Sequence, residues 1–140
     1  MERTWCCAGK SPVHTAEKTI TVTDEIENES YREEPLMILY HINMGYPFLD
    51  ENTRLYNSPT RSVTARDKDG EGHEGEYDRM DPPRDNEPEY VFIHDLKTDG
   101  EGNTQILVVN EPLGLGLRLS YNTRYLPYFM EWKSTAQGIM

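Results

Sequence analysis

Nine prolines and ten glycines interrupt these 140 residues too often for long helices to form. Proline lacks the N–H that a helix interior needs, and glycine costs about 1 kcal/mol there. The short segments between the breaks alternate. In KTITVTDEI, residues 18–26, Ile20, Val22 and Ile26 fall on one side and Thr19, Thr21 and Thr23 on the other. Period two in β-branched residues predicts a half-buried strand.

PLMILYHINM, residues 35–44, is a continuous apolar run bounded by turns, the pattern of a strand buried on both faces. NTRLYN and RSVTAR are shorter strand candidates. EYVFIHDL and TQILVVN flank Thr98, Asp99, Gly100, Glu101, Gly102 and Asn103, a Gly- and Asp-rich loop that predicts a hairpin. Leu115, Leu117, Leu119 and Tyr121 share one face of the next strand. YLPYFMEWK closes the set, and Pro127 makes it an edge or an irregular strand. The expected fold is all-β, an antiparallel β-sandwich spanning residues 18–140, preceded by a loose segment over residues 1–17. Residues 67–89 hold ten acids and three bases and predict a long solvated loop with little to bury.

Charge narrows the partners. With 25 acids against 14 bases the net charge is -11, which disfavours nucleic acid and anionic membrane, since both need a basic surface. Mean hydropathy is -0.79, and no apolar run approaches the roughly 20 residues of a membrane span. The first residues, MERTWCCAGKSPVHT, hold no apolar signal-peptide core, so the cytoplasm is the expected compartment. Cys6 and Cys7 are adjacent, a spacing that rarely closes a disulfide without strain. No phosphate loop, nucleophile elbow or Cys/His metal spacing is present, so neither metal nor cofactor is expected. Asp67, Asp69 and Glu71 lack the register of a calcium loop.

Chemistry-bearing residues are few. His41 lies inside an apolar run, where an imidazole has either a structural partner or a task. On a strand, Asn43 would share its face and add a donor and an acceptor suited to a polyhydroxylated ligand. His94 and Asp95 end the strand EYVFIHDL and point to opposite faces, so one of them can face such a pocket; turn formation is the plainer role. His14 and His73 fall in polar stretches and are expected to be solvated.

The combination of LYHINMGYP, EYVFIHDL and LPYFMEWK, after TVTDEIENE and in that order, resembles the aldose 1-epimerase (galactose mutarotase-like) superfamily. The likeness, over about residues 18–140, is to a branch of unknown function. It implies a partial supersandwich that binds a monosaccharide or sugar derivative and interconverts its anomers. It also implies that His41 is the general acid on the ring oxygen, with Asn43, His94 and Asp95 holding substrate. The base of that family is a Glu beyond the WK segment, which this chain does not reach; Glu131 does not match its place. The chain alone is therefore expected to be inactive, and to self-associate through unpaired sheet edges. The alternatives are a non-catalytic carbohydrate-binding module or a β-rich interaction module.

Overall fold

A computed structural model describes residues 5–10, 13–14, 18–57 and 60–135. The fold is all-β with antiparallel pairing throughout. The chain divides into two compact units, Met1–Ile42 and Asn43–Met140.

The first unit is an interrupted two-stranded ladder. Strand β1 (Trp5–Lys10) pairs with β4 (Thr23–Asn28), and β2 (Val13–His14) pairs with β3 (Thr19–Ile20) in the same register. Of residues 1–17, expected to be loose, 5–10 and 13–14 form β1 and β2, because the alternating partner downstream gives their backbone groups a ladder to join; the others lie outside the described residues. The alternating stretch 18–26 is split between β3 and β4, and Ile20 and Val22 stay exposed.

Residues 35–44 correct the expectation of a doubly buried strand: no described strand covers them, and Leu36, Met37, Leu39 and Ile42 are exposed. An apolar run becomes a buried strand only where neighbours supply both a ladder and two covering faces. Pro35 also removes one donor.

The second unit holds two three-stranded sheets. One has the order β10 (Phe129–Lys133), β7 (Tyr90–Leu96), β6 (Thr60–Ala65); the other has β5 (Thr53–Asn57), β8 (Asn103–Asn110), β9 (Leu115–Asn122). Leu96 of the first sheet and Ile106 and Val108 of the second form the central cluster. Met44, Phe48, Leu49, Leu55, Leu119, Tyr121 and Phe129 pack around it. TQILVVN is a strand, and the pleat sorts it: Thr104, Ile106, Val108 and Asn110 are buried and Gln105 and Leu107 are not. Placing β10 at an edge agrees with Pro127. The loop after β7 is a correction. β7 and β8 pair in different sheets, so this Gly- and Asp-rich turn carries the chain from one sheet to the other. Asp99 Oδ1 accepts from the backbone N–H groups of Glu101 and Asn103, and Gly102 holds φ +90°. Local chemistry fixes the turn, while the partner of each strand is chosen by packing.

The GYPFLDENTRL segment is anchored by a buried amide. Asn110, fully buried, donates from Nδ2 to the Phe48 carbonyl at 3.0 Å and to Asp50 Oδ1 at 2.8 Å. Thr53 Oγ1 donates to the same carbonyl at 2.8 Å. Each buried polar atom here has a partner, which is what makes its burial tolerable.

Residues 67–89 form no strand and bury only Gly70. They contain successive turns and a 3-10 helix at Glu74–Glu76, and they are tied to the sheets. Leu55 N donates to the Asp78 carbonyl at 2.8 Å, and Arg84 N to that of Thr135 at 3.0 Å. His73, expected in solvent, stacks on Tyr90 with ring centroids 4.5 Å apart. Lys133, buried on β10, donates to Asp81 Oδ2 at 2.7 Å and to the Glu76 carbonyl at 3.3 Å.

Candidate functional site

Strand β7 sorts its side chains by the pleat. Tyr90, Phe92, His94 and Leu96 are buried on one face, whereas Asp95 is exposed on the other. His94 has no exposed side-chain surface. Its ring meets Phe129 at 5.1 Å and the edge of Tyr77 at 5.2 Å. Its Nε2 lies 3.0 Å from Glu131 Oε2, across the ladder on β10. The register places Phe129 opposite His94 and Glu131 one pleat further along the same face. Burial pushes the Glu131 carboxyl above its ordinary range, against the His94 hydrogen bond and the nearby His94 and Lys133 charges.

The two substrate-binding residues expected on EYVFIHDL thus part company. His94 is enclosed with Glu131; Asp95 is open. Glu131 was given no site role from the sequence, because cross-strand diagonals depend on register, and register is tertiary.

Asp95 opens on a pocket of about 260 Å³ lined by Arg61, His94, Asp95, Leu96, Thr98, Tyr121, Thr123, Pro127 and Phe129. Arg61 comes to it through an irregularity. Thr60 pairs with Leu96 and Ser62 with Asp95, which leaves Arg61 as the extra residue of a β-bulge. Bulges re-aim side chains in this way, often beside sites. Around the pocket stand one carboxylate, one guanidinium and the hydroxyls of Thr98, Thr123 and Tyr121, over the apolar surface of Leu96, Pro127 and Phe129.

His41 is exposed at the end of the first unit, and Asn43 is exposed at the start of the second. Neither lies in a strand, so the period-two argument that put them on one face does not apply. Among the described residues, no group of three or more His, Cys, Asp or Glu is placed to hold a metal ion. No helix among them is long and apolar enough to cross a membrane.

Fold and site define an all-β protein with a small polar-lined pocket at the end of one antiparallel sheet. The family model described as Domain of unknown function (DUF4432) matches residues 8–139, and the chain belongs to that family. No curated protein and no solved structure matches it significantly.

Proposed function

We propose that this protein binds a monosaccharide or sugar derivative in the pocket beside Asp95, as a relative of epimerases that, when complete, interconvert sugar anomers. The observation that carries this reading is the pocket's lining. A sugar ring needs hydrogen-bonding groups around its rim and an apolar surface under its C–H face. Asp95, Arg61, Thr98 and Thr123 supply the first, and Pro127, Phe129 and Tyr121 the second. The volume, about 260 Å³, lies just under the roughly 300–1,000 Å³ of drug-sized ligand sites and suits a single ring.

Anomer exchange requires one proton delivered to the ring oxygen and another removed from the C1 hydroxyl. The acid role that the motif LYHINMGYP implies for His41 rests on the resemblance alone, since His41 is not among the residues lining this pocket. No residue is assigned the second transfer, so this chain by itself is expected to bind without exchanging anomers. Asp95 orients a ligand hydroxyl from the open side of β7. The enclosed His94–Glu131 pair holds the strand end that forms the pocket wall, a positioning role.

The test is a titration of the chain with glucose and galactose, followed by saturation-transfer NMR. Binding is expected, and Asp95→Ala should weaken it about tenfold, the scale of a hydrogen bond to a charged group. No transfer from any hexose or pentose would overturn the proposal. Polarimetry of fresh α-glucose then separates binding from anomer exchange. Where exchange is catalysed, His41→Ala should slow it about 10²-fold, as for a lost general acid.

A further inference from the structure

A second hollow of about 240 Å³ adjoins the first. It is lined by Ser62, Thr64, Ile93, His94, Asp95, Pro127 and Tyr128. His94, Asp95 and Pro127 border both hollows, so the two lie on either side of one ridge. Their chemistry differs. The first holds both charged side chains that could polarise a hydroxyl, Arg61 and Asp95, and the second adds no further charge. Ser62 and Thr64 alternate on β6 so that both face outward beside Ile93 and Asp95 of β7. They offer two hydroxyls in a row. Tyr128 is exposed on 78% of its surface and adds an aromatic ring with little to hold it but the hollow's edge.

Resting on the sugar-binding reading above, we propose that the second hollow is a subsite for another sugar ring, so that the ligand is a disaccharide or longer glycan. The reducing-end ring occupies the first hollow, where the charged groups are. The glycosidic bond crosses the ridge at Asp95 and Pro127, and the next ring lies on Tyr128 with its hydroxyls toward Ser62 and Thr64. Aromatic contact with hydroxyl partners beside it is a general way to hold a neutral ring, and it does not depend on the strongly negative net charge.

The experiment compares glucose and galactose with maltose, cellobiose and lactose on the whole chain by calorimetry. At least one disaccharide should bind about fivefold or more tighter than its monosaccharide, the gain one aromatic contact supplies. Tyr128→Ala should remove that gain and leave monosaccharide affinity unchanged; because Tyr128 is exposed, this variant keeps the core. Ser62→Ala gives a second, independent reduction. Monosaccharide binding with no disaccharide gain, or a gain that survives Tyr128→Ala, overturns the subsite and leaves the first pocket standing. Absence of binding by every sugar overturns both.

Discussion

Residues 67–89 carry ten acids and three bases, and residues 35–42 carry six of the chain's large apolar side chains. Hydropathy would bury the second and release the first. The structure leaves the second exposed and ties down the first, although Gly70 is the one buried residue of 67–89. Leu36, Met37, Leu39, Tyr40 and Ile42 are exposed, with the Tyr40 hydroxyl donating to Asp24. The acidic stretch, in contrast, presses Gly70 into the core beside Ala65 and Phe92 and stacks His73 on Tyr90. It also meets a buried lysine at Asp81. Apolar content measures what a segment would gain if covered. Whether it is covered depends on partners elsewhere, and specific polar contacts can order a segment that has almost no apolar surface.

Removing the lysine should break this contrast most. Lys133→Ala leaves Asp81 with only the longer Arg84 contact at 4.0 Å and removes a donor from the Glu76 carbonyl. Breaking a buried pair costs about 3–5 kcal/mol, and the partial exposure of Asp81 brings the expected loss to roughly 2–3 kcal/mol. Urea denaturation measures it. Limited proteolysis should then move into residues 67–89, whereas in the wild type residues 29–42 should be cut first. Wild-type cleavage beginning in the acidic stretch would refute the tethering.

Gly70→Ala comes next. A Cβ there would sit 3.1 Å from Ala65 Cβ and 3.6 Å from the Phe92 ring, closer than packing allows without movement. The expected cost is about 1–2 kcal/mol by the same denaturation assay. A neutral or stabilising result would mean that the turn yields easily and packs loosely on β7.

Protonation gives opposite slopes at Asp81 and Glu131. Lys133 holds the Asp81 carboxyl below its usual 3.8, first through its hydrogen bond, so that contribution is present above 3.8 and is lost as pH falls through the lowered value. Glu131 is raised by burial, so its contribution is full below 4.5 and is lost as pH rises through the raised value. Stability measured against pH should therefore lose its fall above 4.5 in Glu131→Gln and its fall below 3.8 in Asp81→Asn. Identical profiles for Glu131→Gln and the wild type would show that Glu131 carries no such cost.

The smallest effect belongs to the apolar run. Met37 is 91% exposed, so Met37→Ser should change stability by no more than about 0.5 kcal/mol. A loss of about 2 kcal/mol would mean that this run is covered in solution, as its composition suggests.

The amino-acid sequence by itself determined the strands whose residue types favour them between clear turns. TQILVVN and EYVFIHDL are legible as strands because short runs rich in β-branched and aromatic residues, bounded by turn residues, carry that signal locally, whereas the face each buries was decided by packing. Which strands pair was decided only in three dimensions. The turn at Asp99 and Gly102 was legible as a turn, yet it links two sheets, because strand pairing follows the burial of both faces and not the loop between them. The same holds for the site. His94 and Asp95 could be named from the strand end, but Glu131 reached His94 through cross-strand register, and Arg61 reached the pocket through a bulge. Both are long-range consequences of packing that no run of neighbouring residues contains.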